Sequence, residues 1–240
     1  MTFEEIVNYR RSVRHYKNEP IDSEKVKHCL ELASLAPNSS NMQLWEFYHV
    51  IDSEILKKIA TACLNQEAAT TAQQMVVFVT RQDLYRKRSK NMMELETQNV
   101  LKNSPKLKQE KRIKSRKMYY GKIMPLLYLR FFGFFGIIRK ILVNIIGLFR
   151  PIVYQVSEND MRVVVHKTCA LAAQTFMLAM ANEKYDTCPM EGFDSKKLKG
   201  ILKLLYGAEI NMVVSCGIRN EDGVWGDRMR IPFNEVYRKI

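Results

Sequence analysis

The stretch MRVVVHKTCALAAQTFMLAMANE, residues 161–183, constrains this chain more than any other. A helix drawn from Asp160 to about Glu183 carries apolar or small residues around most of its circumference, so it has no broad polar face to offer solvent. Such a helix belongs at the centre of a fold. A chain of 240 residues, 47% apolar, has enough material to cover it, in one large domain or two small ones. No internal repeat or low-complexity linker interrupts it.

The flanking segments mix both periodicities. Thr2 and Glu5 form a T-x-x-E capping box that opens a short helix ending near Arg10. A second helix runs from Ser23 to about Ala36, with Val26, Cys29, Leu30 and Ala33 on one face and Pro37 closing it. The polar loop PNSSNMQ, residues 37–43, leads into WEFYHVI, residues 45–51, whose aromatic and β-branched residues predict a strand. Ile55, Leu56, Ile59, Ala60 and Cys63 mark an amphipathic helix, and MVVFVT, residues 75–80, is short and apolar enough for a buried strand. Beyond the long helix, CPMEGFD, residues 188–194, reads as a loop. Its Asp194 caps a helix carrying Leu198, Ile201 and Leu202, and EINMVVSCGI, residues 209–218, supplies a third strand.

The formal charge of +13 sits almost wholly in one segment. Residues 81–150 hold 18 Lys/Arg against 4 Asp/Glu, which leaves the rest of the chain close to neutral. Any argument from charge to a polyanion or a membrane surface therefore concerns that segment alone. Its second half, residues 123–149, is rich in bulky apolar residues, yet its longest uncharged run is nine residues, short of the ~18 needed to span a bilayer. From Ile137 to Phe149, Lys140 and Asn144 recur at i, i+4 among aliphatic residues, which predicts an amphipathic helix. The five cysteines are odd in number and widely spaced, and the four histidines lack metal-ligand spacing, so no metal site is expected. Cysteines without a pairing pattern and an N-terminus without a cationic stretch and apolar h-region together point to a cytoplasmic, reduced protein.

Four polar clusters remain outside the core pattern: RRSVR at 10–14, PNSSNMQ at 37–43, CPMEGF at 188–193 and DRMR at 227–230. The first alone could be a solvated helix end, where cations favour the dipole. Arginines at both ends of the chain, however, can converge on one phosphate, because guanidinium forks bind phosphate oxygens bidentately and stay charged. Serine, asparagine and glutamine add the neutral donors and acceptors that a sugar-like chain or a heteroaromatic edge requires.

In the order and spacing of these clusters the chain resembles the FMN-dependent nitroreductases. That family's pattern runs R-R/H-S-x-R/K, then A-P-S-x-x-N-x-Q-P-W, then P-x-E-G-F, then a C-terminal K/R-x-R. Here it reads Arg10-Arg11-Ser12-Val13-Arg14, Ala36-Pro37-Asn38-Ser39-Ser40-Asn41-Met42-Gln43-Leu44-Trp45, Pro189-Met190-Glu191-Gly192-Phe193 and Arg228-Met229-Arg230. The resemblance covers roughly residues 1–80 and 157–240. It implies an α+β fold, an α/β/α sandwich with a central, mainly antiparallel sheet flanked by helices, as an intertwined homodimer.

The resemblance further implies that Arg10, Ser12 and Arg14, with Arg228 and Arg230, hold the phosphate and ribityl chain of FMN, and that Arg11 also contacts the flavin. Ser39, Ser40, Asn41 and Gln43 would line the cofactor, several of them from the other subunit. Asn65 would bond the pyrimidine edge. Pro189, Met190, Glu191 and Gly192 would approach the ring, with the backbone of Glu191 and Gly192 facing flavin N5. NADH or NADPH would then pass hydride to N5 and leave, to be replaced by a nitroaromatic or a quinone in a ping-pong sequence with no dedicated acid–base side chain. Three departures stand out: Leu44 for the usual proline, Ala68 near the position of a usual lysine, and Lys184-Tyr185-Asp186-Thr187 in place of a glycine-rich turn.

Residues 81–156 lie outside the resemblance and form a basic and apolar helical insertion within a single domain spanning residues 1–240. As a lid or dimer arm the insertion would pack over the site; as a surface anchor it would meet anionic lipid at the inner face of the membrane. In the latter case the alternative function is a membrane-peripheral flavin-binding protein without nitroreductase turnover. Nucleic acid ranks below both, since no recognised binding motif accompanies the charge.

Overall fold

The computed structural model describes residues 1–240. In chain order, α1 (Phe3–Tyr9) and α2 (Ser23–Ala33) precede β1 (Trp45–Val50), α3 (Ser53–Ala62), the single turn α4 (Glu67–Thr70) and β2 (Gln74–Thr80). The basic segment forms α5 (Tyr85–Asn103) and α6 (Lys106–Met118), a π-helical turn at Tyr119–Ile123, α7 (Met124–Tyr128) and α8 (Phe134–Gly147). The core helix α9 (Glu158–Asn182) then leads to β3 (Asp186–Met190), α10 (Ser195–Ile201), β4 (Glu209–Gly217) and the short α11 (Phe233–Val236).

The strands form one antiparallel sheet in the order β1-β2-β4-β3. Every residue of the central β2 is buried, because successive side chains point to opposite faces and both faces are covered. Val76 and Phe78 pack with Val214 and Cys216 against α2 and α9. Met75, Val77 and Val79 pack with Val213 and Met190 against α3 and α10. The continuous apolar run MVVFVT is thus the centre of an α/β/α sandwich. A bulge in the β2–β4 pairing leaves Asn211 without a partner on β2, and its amide reaches the ring and carbonyl of His166 on α9.

The long helix is where its composition places it. Ser157 and Asp160 form a capping box at its start, and Cys169, Ala172, Ala173, Phe176 and Met180 lie in the sheet-facing core. By length and apolar composition α9 is able to cross a membrane, but its packing on the sheet makes it a core helix. All five cysteines are free and buried. Burial raises the Cys29 and Cys63 thiols to about 11 and Cys169 to about 12, so they behave as small apolar residues.

Two expectations need correction. Residues 188–190 are the end of edge strand β3, while the loop begins at Glu191. Pro189 hid the strand because it lacks an N–H donor, yet an edge strand tolerates proline, and β3 pairs only with β4. Helix α2 stops at Ala33, three residues before Ala36, and the chain turns through Ser34–Ala36 ahead of Pro37.

The segment from α5 to α8 builds a third apolar cluster. Met92, Tyr120, Met124 and Tyr128 cover Met161 and Val165 on α9, together with Met42 and Leu44 from the polar loop. Helix α8 has an unusual orientation: its charged side faces the protein. Gly136, Arg139 and Val143, spaced i, i+3, i+7, are its buried residues. The Arg139 guanidinium is held by the carbonyls of Val156 (2.6 Å), Leu126 (2.9 Å) and Leu129 (2.8 Å).

Candidate functional site

The two ends of the chain meet at an arginine-lined cavity of about 280 Å3. Arg10, Arg11, Ser12 and Arg14 enter it from the segment after α1, and Arg228 and Arg230 enter it from the C-terminal arm. Arg228 latches the two strands of chain together, since its Nη2 donates to the carbonyls of Val7 (3.2 Å), Asn8 (3.1 Å) and Arg10 (2.7 Å). It thereby satisfies carbonyls that the end of α1 leaves without intrahelical partners. Arg11 donates to the Gly226 carbonyl at 2.8 Å, and the Arg14 guanidinium lies 4.7 Å from the centre of the Trp225 ring.

None of these five arginines has a carboxylate oxygen within 4.0 Å, although Asp227 stands on the rim. Burial, and then the like charges of Arg228, Arg230 and Arg11, lower the pKa of Arg10. Crowded, partly buried cations without counter-charges fit an anion, and guanidinium donors fit phosphate oxygens best. The cavity lies just below the ~300–1,000 Å3 of drug-sized sites, so it suits the phosphate end of a larger ligand.

Strand β3 anchors the segment that carries the cluster. Ser12 bridges Thr187 in parallel, with Val13 N donating to the Thr187 carbonyl at 3.1 Å, and Arg14 N donates to the Gly223 carbonyl at 2.8 Å. Buried Asp186 is neutralised by Arg219, which bonds it at 2.9 Å and lies 4.4 Å from the centre of the Tyr9 ring, so no strand carboxylate competes for the cluster. The Thr187 hydroxyl is buried beside Ser12 without a hydrogen-bond partner. Cys188 is also buried beneath the cluster; burial raises its pKa, and nearby Arg14 and Arg10 oppose that rise.

Pro189 and Met190 end β3, and Glu191 and Gly192 follow it, both exposed. Gln66 Nε2 donates to the Gly192 carbonyl at 2.7 Å, which ties the loop to the residue after Asn65. Asn65 lines a separate cavity of about 930 Å3, with His15, Lys17 and Asn220 on its walls. The two cavities flank the segment Arg14–His15. Asn65 therefore does not join the arginine cluster directly, and the two are connected through β3 and the Gln66–Gly192 bond. Ala68 is buried in the core, and the cations near Asn65 are Lys17 and Lys57.

The loop carrying Ser39, Ser40, Asn41 and Gln43 lines neither cavity within one chain. Ser40, Asn41 and Gln43 have φ of 54°, 51° and 47°, a left-handed conformation that non-glycine residues adopt only when their surroundings hold them. Asn38 Oδ1 accepts from Gln43 N at 2.9 Å, the Ser40 hydroxyl lies 2.7 Å from that of Tyr119, and Tyr120 donates to the Ser40 carbonyl at 3.0 Å. The basic segment thus braces this loop.

Trp225, Gln66 and the Tyr119–Tyr120 pair were not apparent as site residues. Trp225 is an exposed aromatic two residues before Asp227, and its position beside DRMR is the one sequence signal it offers. Gln66 carried only its adjacency to Asn65. The tyrosines lie in a segment where charge and apolar bulk obscured their role.

The sequence model of the nitroreductase family matches residues 7–218 of the chain, across the basic segment and the first three polar clusters, while DRMR at 227–230 lies beyond the matched range. MhqN of Bacillus subtilis (strain 168), named as an NAD(P)H nitroreductase, is 22% identical over 234 residues, 97% of this chain and 96% of its own. The solved structure of ydfN from Bacillus subtilis superposes with a TM-score of 0.74 at 22% identity, covering 99% of this chain and 98% of its own. A protein of Exiguobacterium sibiricum solved in complex with FMN superposes at 0.70 with 21% identity, over 100% of this chain and 98% of its own.

Proposed function

The chain belongs to the nitroreductase family, and from that premise we propose that it is an FMN-dependent oxidoreductase drawing on NADH or NADPH to reduce a small electrophile, a nitroaromatic or a quinone. The class, an oxidoreductase with the nitroreductase α+β fold, comes with the family and its structural neighbours. The observation that carries the cofactor assignment is the cluster of five arginines without a carboxylate partner, assembled from both ends of the chain.

In this reading Arg10, Arg11, Arg14 and Arg230 hold the FMN phosphate by charge-assisted hydrogen bonds. Arg228 also faces the phosphate while its Nη2 keeps the arm in place. Ser12 and the unpartnered Thr187 hydroxyl are polar groups available to the ribityl chain. Pro189 and Met190 form a rigid strand end from which Glu191 and Gly192 present main-chain groups to the ring, fixed by Gln66. Asn65 binds the pyrimidine edge with Lys17 as the nearby cation. When bound, the flavin supplies a two-electron carrier between nicotinamide and acceptor. The chain's own part is to bind and orient, with no dedicated acid or base side chain for the acceptor.

Ser39, Ser40, Asn41 and Gln43 act from the second subunit of a homodimer. That arrangement accounts for a polar, conformationally strained loop which reaches neither cavity in its own chain. The test is turnover: protein reconstituted with FMN is given NADH or NADPH with a nitroaromatic or a quinone. Acceptor-dependent oxidation of the nicotinamide supports the reading. Reconstituted protein that oxidises neither nicotinamide with any such acceptor overturns it.

A further inference from the structure

Helix α8 is amphipathic with its faces reversed. A surface helix ordinarily turns its charges to water and its apolar stripe to the core. In α8 Arg139 is buried at 6% exposure, whereas Ile137, Ile141 and Ile145 are 63%, 55% and 53% exposed. The arrangement is fixed by polar contacts. Lys140 donates to the Tyr154 carbonyl at 2.8 Å and pairs with Asp160 at 3.2 Å, and Glu158 accepts from the main-chain N–H of Phe131 (3.0 Å) and Gly133 (2.9 Å) just before the helix. Gly136 lets the helix sit directly on the start of α9, since a Cβ there would lie 2.8 Å from the Glu158 nitrogen. The outward apolar face therefore cannot be turned inward without breaking this set of contacts.

The ends of the helix extend the same face. Phe132 is 94% exposed before it and Phe149 is 83% exposed after it. Arg130 and Arg150 bracket the apolar run, and α6, which precedes it across the π-helical turn and α7, carries seven Lys/Arg in 13 residues, with Glu110 its one acid and no residue buried. An exposed apolar patch of this kind marks a surface that something covers. A second copy brings two segments of strong positive charge face to face, which is repulsive, whereas an anionic bilayer offers hydrocarbon to the apolar face and negative headgroups to the cations. With 14 residues α8 is too short for the ~20 that span a bilayer, and so it lies in the plane of the interface.

We propose that the outward face of α8, with Phe131, Phe132, Leu148 and Phe149 at its ends, docks the protein onto an anionic lipid bilayer, and that the cations of α6 lie over the headgroups. This surface is independent of the flavin reading, because a chain that failed to retain FMN would still present it.

The test is co-sedimentation of the full-length protein with phosphatidylcholine vesicles made with and without phosphatidylglycerol. The wild type sediments with the anionic vesicles and far less with the zwitterionic ones. Ile137→Asn/Ile141→Asn/Ile145→Asn, at exposed positions, and Lys111→Glu/Lys114→Glu, on α6, each weaken binding by on the order of tenfold or more. A Phe149→Trp variant, otherwise wild type, gains a blue-shifted emission on adding anionic vesicles, a readout that needs no disruptive substitution. Three results overturn the proposal: no sedimentation with anionic vesicles, binding indifferent to the α8 substitutions in a protein of unchanged thermal stability, or loss of a dimer by light scattering in the α8 variant, which assigns the face to a second copy.

Discussion

Arg228 donates to the main-chain carbonyl of Arg10 at 2.7 Å, so the C-terminal arm is fastened to the first residue of the N-terminal arginine cluster. The same nitrogen reaches Val7 and Asn8, while Arg230 donates only to the carbonyl of Met229 beside it. The two arginines should therefore separate by experiment. Arg228→Ala lowers both stability, by about 1 kcal/mol, and FMN retention; Arg230→Ala lowers retention alone. Thermal melts and FMN titration of the two variants check this, and the double variant loses about 100-fold or more in affinity because hydrogen bonds to charged groups are worth about 1.5–3 kcal/mol each.

Gly223 provides a second test of the cluster's scaffold. Its carbonyl accepts from Arg14 N, and a Cβ at this position would lie 2.4 Å from the His15 carbonyl oxygen and 3.0 Å from that of Asn220. Main-chain atoms cannot move aside cheaply. Gly223→Ala is expected to destabilise the fold by about 1–3 kcal/mol in urea unfolding and to weaken FMN binding by displacing Arg14.

The braced loop makes a third prediction. Tyr119→Phe removes the 2.7 Å contact with the Ser40 hydroxyl, and Tyr120→Phe removes the donor to the Ser40 carbonyl. Each change costs about 0.5–1.5 kcal/mol of local stability. In a homodimer whose partner loop lines the cofactor, both variants raise the FMN dissociation constant several-fold without touching the arginine cavity. An unchanged constant separates this loop from the cofactor site.

Glu209, the first residue of β4, carries an acid-sensitive contribution to stability. Its hydrogen bonds with His166 and Arg162 outweigh burial and hold the carboxyl at about 2, below its ordinary 4.5. A lowered folded-state value means the contribution is fully present above about pH 4.5 and is lost as pH falls toward 2. Its size is on the order of 2 kcal/mol. Glu209→Gln should be less stable than wild type at about pH 6, and the gap should narrow at about pH 3, measured by urea unfolding.

Much of this fold was legible because its strongest signals are local. The capping box at Thr2, the buried run of β2 and the all-round apolar α9 each predict one element from a few residues, and the structure has all three. The arginine cluster was legible for a different reason: RRSVR and DRMR stand at opposite ends of the chain in the order of a family pattern, and guanidinium groups from both can converge on one phosphate. Other features depend on tertiary context. Pro189 masks β3, since nothing in CPMEGF says that the strand will lie at a sheet edge. The direction of α8 was equally invisible, because an amphipathic pattern is the same whichever face meets the protein, and only the carbonyls around Arg139 decide it. The role of the basic segment in bracing Ser40 depends on contacts about eighty positions apart.

The claim on which the account turns is that five arginines without carboxylate partners hold the phosphate of FMN. Comparing FMN with riboflavin, which differs only in lacking that phosphate, tests it most directly by fluorescence or absorbance titration of the flavin-free protein. The account predicts that FMN binds about 100-fold or more tightly than riboflavin, and that Arg10→Gln/Arg230→Gln removes most of the difference while leaving riboflavin affinity nearly unchanged. Equal affinity for the two flavins, or a preference for FMN that survives loss of both arginines, would contradict it.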